Sequence, residues 1–302
     1  MTAIQPVNTN TDHGFAFWSV ATILFTAVLL TLAVRIPIPW LCMWVVAGGE
    51  FFALKLVTTI GLCRSAPAWR LVAYLTLWPG MNARGFLFHE SAAVRRPTLT
   101  ELVFALVKMA LGLAAIFWAV IYLKTAPRLL TGWVGMVGII FTLHFGALHL
   151  VSWLWRRNGF DAPPIMKVPV LAVSLADFWG VRWNVAFADS ARRFVLLPLA
   201  RKWGTQTAGA FVFLLSGLVH ETVISFPARG GWGGPTLYFV IQGVGAWLEK
   251  TSFARMLHLR KGIGGRIFTI VVVVIPLPLL FHPIFVREVI LPLIKFLNTH
   301  FL

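Results

Sequence analysis

The chain has 302 residues, 59% of them hydrophobic and 12% charged, about half the charged share of an ordinary soluble domain. Apolar runs long enough to cross roughly 30 Å of hydrocarbon recur along its length. Composition therefore excludes a soluble globular protein and predicts one all-α, integral membrane domain over 1–302 with about eight or nine spanning helices. The formal charge of +16 does not point to nucleic acid, because the basic residues lie in short segments between apolar runs. Such placement marks topology signals and phosphate-binding candidates.

The first fourteen residues, MTAIQPVNTNTDHG, carry no Lys or Arg, and the run from Phe15 to Val34 is about twenty residues long. That pattern describes a retained spanning helix rather than a cleaved signal peptide. Further runs follow at 40–62, 67–79, 101–123, 130–155, 207–226, 236–249, 264–281 and 284–298, bounded by Pro, Gly and basic residues. The run at 67–79 is short, and Glu50 and Lys55 interrupt the one before it, so a tilted or re-entrant pair is expected there. Cys42 and Cys63 form no CxxC and sit within or at the end of an apolar run, which makes them packing residues. No internal repeat is visible, which weakens an inverted-repeat transporter reading.

With the N-terminus outside and sides alternating, seventeen Lys and Arg fall on the cytoplasmic face, six outside and three (Lys55, Lys108, Lys295) within spans. This is a positive-inside bias. The segment from Arg156 to Thr205 then faces the cytoplasm, where anionic nucleotide-bearing cosubstrates are found. A bacterial inner membrane is expected in preference to the endoplasmic reticulum, since no organelle signal can be read.

Two stretches break the apolar pattern. SLADFWGVRWN, Ser174 to Asn184, sets Asp177, Arg182 and Asn184 among Phe178, Trp179 and Trp183, and lies in a segment from Pro163 to Arg201 that Pro169, Gly180 and Pro198 keep from being a simple span. Irregular polar backbone at membrane depth is tolerated where it is buried in protein or lines a watery cavity, so a re-entrant or cytoplasmic-surface helical segment is expected. Trp179 and Trp183, four apart, share one helical face. An interfacial aromatic belt with a snorkelling Arg182 is the plainer alternative. FLLSGLVHETVISFP, Phe213 to Pro227, places His220 and Glu221 side by side inside an apolar helix, where ionisable groups are costly and usually functional. A neutral His220 satisfied by a carbonyl or by the Ser216 hydroxyl one turn earlier is the structural alternative.

Together and in this order, SLADFWGVRWN and SGLVHE resemble the signature of the wax synthase-like branch of the membrane-bound O-acyltransferase superfamily. The later GGPTLYFVIQG fits the same pattern, so the resemblance covers about 174–243. It implies that Asn184 and His220 are the two characteristic polar residues and that the substrates are an acyl-CoA and a lipophilic alcohol. The HHxxxDG motif of the unrelated soluble-type wax ester synthases is absent, since no two histidines are adjacent.

Acyl transfer from a thioester to an alcohol needs the hydroxyl proton removed during attack, and histidine has the pKa for that task. His220 is then the base, and Asn184 either donates to the developing oxyanion or fixes the thioester carbonyl. No cofactor and no metal is required. Trp179 and Trp183 would wall a passage for the acyl chain or pantetheine arm, Gly180 would let backbone approach closely, and Arg182 would hold a phosphate or pair with Asp177. Glu221 joins Asp177 and Arg182 in the substrate-binding set. Arg192, Arg193, Arg201 and Lys202 form a basic rim suited to CoA phosphates. Their alternative is as topology charges, with Asp189 paired to Arg192 or Arg193. RGGWGGP, Arg229 to Pro235, lacks P-loop spacing and reads as a turn on the far side. His144 and His149, five apart, make a poor metal pair. The competing class is a proton-coupled transporter or flippase using His220 and Glu221 as relay.

Overall fold

The computed structural model describes residues 12–88 and 94–301, and among these the regular structure is entirely helical. In chain order the helices are α1 (Asp12–Ala33), α2 (Pro39–Thr59), α3 (Ala68–Leu77), α4 (Ala83–Phe88), α5 (Leu99–Ile121), α6 (Arg128–Ile140) and α7 (Leu148–Arg157). Three shorter pieces and one long helix follow: α8 (Leu175–Asp177), α9 (Val185–Ala191), α10 (Leu197–His220) and α11 (Phe226–Ala228). The last are α12 (Gly234–Leu248), α13 (Ser252–Met256), α14 (Gly262–Val274), α15 (Leu277–Leu280), α16 (Pro283–Phe285) and α17 (Leu291–Phe301). The polar leader at 1–11 lies outside the described residues.

Proline and capping chemistry set several starts. Pro39, Pro198 and Pro235 occupy the first turns of α2, α10 and α12, where a missing N–H costs nothing. Thr98 caps α5 by accepting from the Glu101 amide at 3.2 Å, with Glu101 itself in the first turn; both features favour the positive end of the helix.

Five helical stretches among the described residues are long and apolar enough to cross a membrane: 39–59, 99–121, 128–157, 185–228 and 262–280. Other apolar runs form shorter helices; α12, for instance, has 15 residues and a length of about 22 Å. The fourth stretch has 44 residues and as one straight helix would extend about 66 Å, over twice the hydrocarbon thickness. It does not run straight: Gly204, at φ 80° and ψ 161°, breaks α10.

Several polar residues within the spans contact other helices. Lys55 is wholly buried, donates to the carbonyls of Trp78 and Gly80 at 2.7 Å each, and lies 3.2 Å over the Tyr74 ring. It thereby ties α2 to α3 and to the turn after it, which accounts for the interruption expected in this pair. Lys108 meets His149 at 2.7 Å, and Thr222 donates to Glu50 at 2.7 Å. Helices α5 and α6 approach closely through Gly112 and Gly138, where a Cβ on either would press on the other's backbone. Buried Ala119, Met136, Val289, Ile290 and Ile294 fill the core where α5 and α6 meet α17.

The charge asymmetry yields a topology prediction. In a Cys63→Ser background, Arg157→Cys and Arg260→Cys are expected to resist an impermeant thiol reagent added outside cells, while Lys124→Cys is labelled. Labelling at 260 from outside would overturn the arrangement.

Candidate active site

His220 ends α10, and its Nδ1 stands 2.7 Å from the Ser216 carbonyl. A carbonyl oxygen only accepts, so Nδ1 carries the hydrogen and Nε2 of the neutral ring keeps its lone pair. The partner is the main-chain oxygen of Ser216 rather than its hydroxyl, which donates to Val212 O at 2.8 Å. The half-buried ring packs on Phe239 of α12, with centroids 4.5 Å apart. Phe239 lies nine residues before the end of α12, about 14 Å along the helix.

Directly after His220 the chain widens into a π-helical turn, Glu221–Ser225. Glu221 is 8% exposed, and its Oε1 accepts from the amides of Gly233 and Thr236 at 3.0 and 3.1 Å and from the Thr236 hydroxyl at 2.9 Å. The carboxylate thus caps the amino end of α12, where a negative charge is favoured. Its Oε2 is buried without a partner. The glycine-rich Arg229–Pro235 stretch forms the turn into α12, with Arg229, Gly231 and Gly233 all at positive φ. Glu221 is therefore committed to the fold by one oxygen.

The Ser174–Asn184 stretch is a helical wedge. The Ser174 hydroxyl accepts from the Asp177 amide at 3.0 Å and starts α8, which widens into a π-turn at Phe178–Arg182. Asp177 Oδ2 accepts from the Val173 amide at 3.2 Å and from Arg182 Nε at 2.8 Å. Arg182 Nη1 approaches the carbonyls of Lys167 and Val168 at 3.4 and 3.5 Å. Asp177 and Arg182 thus fasten the wedge to itself and to the preceding loop.

The two tryptophans diverge instead of sharing one wall. Trp179 donates through Nε1 to Gln242 Oε1 at 3.3 Å and packs on Phe239 at 5.4 Å. Trp183 follows the π-turn, stacks on Phe178 at 5.6 Å and meets Phe145 at 5.9 Å. Trp183 lies past the turn in extended backbone, at φ −94° and ψ 123°, so the two residues do not share a helical face. Gly180 is exposed, and a Cβ there would meet nothing within 4 Å; the close approach expected at it occurs at Gly245, against the Leu175 side chain, and at Gly217, against Thr236.

Asn184 is half-buried in the left-handed region at φ 42° and ψ 60°, its main-chain N–H donating to Met166 Sδ at 3.2 Å. It precedes α9 without capping it through its side chain. No direct hydrogen bond joins it to His220 among the described residues; a chain of ring contacts does connect the two regions, Trp183 to Phe178, Phe178 to Trp179, Trp179 to Phe239 and Phe239 to His220.

Arg192 and Arg193 are exposed on the π-turn Arg192–Leu196, and Arg201 and Lys202 are exposed on α10. Arg193 lies 5.3 Å over the Phe194 ring. The pairing with Asp189 considered as an alternative is not made: the ion pairs among the described residues are Arg156–Glu101 and Arg182–Asp177. No group of three His, Cys, Asp or Glu side chains among those residues is placed to hold a metal. His144 lies within the wide turn Phe141–Ala147 and His149 in α7 after it, where it is engaged by Lys108.

Sequence reading missed Gln242 and Glu249. Both are wholly buried. Gln242 donates to Val272 O at 2.8 Å while accepting from Trp179, and Glu249 accepts from the Leu175 and Ala176 amides. The signal was available: Gln242 is a polar residue in an apolar run, seven residues before Glu249 at its end.

Residues 162–241 match a family model described as the membrane bound O-acyl transferase family, a segment that contains both Asn184 and His220. The chain is similar to a probable long-chain-alcohol O-fatty-acyltransferase 9 of Arabidopsis thaliana, 33% identical over 144 residues that cover 43% of this chain and 42% of that protein. A long-chain-alcohol O-fatty-acyltransferase of Simmondsia chinensis is 32% identical over 143 residues, covering 43% of this chain and 40% of that protein. The match thus spans about two-fifths of the length of these curated relatives. The resemblance read from the two motifs is supported at the wax synthase-like branch. These relatives are plant proteins, which gives the expectation of a bacterial inner membrane no support.

Proposed function

We propose that the protein is an integral membrane O-acyltransferase that moves a fatty acyl group from acyl-CoA to the hydroxyl of a lipophilic alcohol. The observation that carries this reading is His220, inside the family-matched segment, with Nδ1 held by the Ser216 carbonyl and Nε2 left as a base. As the alcohol oxygen attacks the thioester carbonyl carbon, Nε2 takes the hydroxyl proton. The tetrahedral intermediate then collapses, the C–S bond breaks, and the departing CoA thiolate receives that proton. The products are ester and free CoA thiol, with His220 regenerated. Asn184 supplies an amide donor to the oxyanion or the carbonyl, and Trp179 with Phe239 lines the approach to His220.

The wedge and the exposed Arg192 and Arg193 form the donor's entrance on the cytoplasmic face, with the 44-residue stretch broken at Gly204 serving as the surface or re-entrant segment. Those arginines suit CoA phosphates through bidentate contacts. No cofactor is called for beyond acyl-CoA as cosubstrate.

Purified protein in detergent micelles, given palmitoyl-CoA and hexadecanol, is expected to release free thiol and form ester in equal amounts without any gradient. Thiol release that requires a sealed vesicle, or none with alcohols of any length, would overturn the assignment and favour a His220–Glu221 proton relay in transport.

A further inference from the structure

The mechanism above leaves one wholly buried carboxylate unused. Glu249 directly follows α12, and its two oxygens accept from consecutive main-chain amides 74 and 73 residues away in sequence: Oε2 from Leu175 at 2.8 Å and Oε1 from Ala176 at 3.2 Å. These are the first two amides of α8, which no helical carbonyl can satisfy. A carboxylate buried from water is retained only where donors compensate it, so the contact is specific to this docking of the wedge.

Going back along α12 from Glu249, the same helix face meets the wedge in order. Gly245, four residues earlier, has no side chain where the Leu175 side chain crosses. Gln242, seven earlier, accepts from Trp179. Phe239, ten earlier, packs on Trp179 and on the His220 ring. The spacing of three and four keeps all four residues on one face. Glu249 fixes the amino end of a short, stiff element whose other end sets the ring stack beside the base.

We propose that Glu249 is a positioning residue for the acyl transfer: it docks the Ser174–Trp183 wedge on α12 and so places Trp179 and Phe239 against His220. This inference rests on the reading of the protein as an acyltransferase. Misplacing reactive groups by about 1 Å can cost up to about a hundredfold in rate, so loss of the clamp acts on turnover although Glu249 touches no substrate.

The test compares the full chain with Glu249→Ala and Glu249→Gln in detergent, by amide hydrogen exchange of peptides covering 172–183 and by steady-state kinetics at matched folded fraction. In Glu249→Ala the Leu175 and Ala176 amides are expected to exchange at least about tenfold faster and kcat to fall by about tenfold or more, with KM for the alcohol within twofold of the parent's. Glu249→Gln, which keeps an acceptor oxygen for Leu175, recovers most of both. A role in stability alone predicts a lower melting temperature with kcat per folded molecule unchanged, and that result overturns the proposal, as does unchanged exchange. Should the alanine variant fail to fold, the glutamine variant decides: intermediate exchange with kcat reduced about threefold supports positioning, and parental values for both overturn it. A parent that releases no thiol sinks the acyltransferase reading, and with it the positioning role; faster exchange in the variants would then leave Glu249 as a clamp only.

Discussion

His220→Ala is expected to abolish ester formation while leaving the protein folded and inserted. A positioned general base contributes about two to four orders of magnitude. Of its neighbours, Glu221 is held through Oε1 by Gly233 and Thr236 at the amino end of α12, and the Ser216 hydroxyl already donates to Val212. The ring makes one side-chain bond and one aromatic contact, so its removal is tolerated by the helix. Thiol release by the purified variant, at matched size-exclusion profile, is the measurement. Turnover within tenfold of the parent would sink the mechanism.

The second large effect is at Asn184, where two demands on one residue have to be separated. Its φ of 42° lies in a region that Asn and Gly tolerate and most residues do not. Asn184→Ala therefore loses the amide and strains the backbone at once, whereas Asn184→Gly loses only the amide. If the side chain donates to the oxyanion or positions the carbonyl, both variants are expected to lose about 10²–10³ in kcat. An oxyanion role leaves KM for acyl-CoA nearly unchanged. If Gly restores parental kcat while Ala does not, Asn184 serves the turn and not the chemistry. Initial rates with donor binding by calorimetry decide between these outcomes.

Much of this was legible in the residues because membrane placement makes polarity conspicuous. His220 and Glu221 stood out, as did Asp177, Arg182 and Asn184, since each sits where an ionisable or amide group is costly. What spacing did not reveal was direction. Trp179 and Trp183 share a face only if the helix continues through both, and it ends at Arg182, leaving Trp183 extended and in contact with Phe145 while Trp179 packs on α12. Glu221 pairs with amides twelve and fifteen residues on, a cap that needs the Gly-rich turn folded before it can be seen. The same holds for Glu249, whose partners lie across the fold. Helix ends were equally hard to read: the apolar run of α12 forms a helix of 15 residues, and that length is recognisable only from its folded ends.

The π-turn at Glu221–Ser225 also bears on how such chains can be compared. A turn closed by i→i+5 bonds holds one more residue than its α counterpart, so it is geometrically a single-residue insertion absorbed without breaking the helix. Removing it would rotate everything beyond by about 100° relative to His220, swinging Thr222 and Ser225 away from Glu50 and His282, their present partners. Alignment of this chain with a relative whose helix is regular here would require a one-residue gap just after His220, and residue matches drawn through that point without the gap would pair side chains from different faces of the helix.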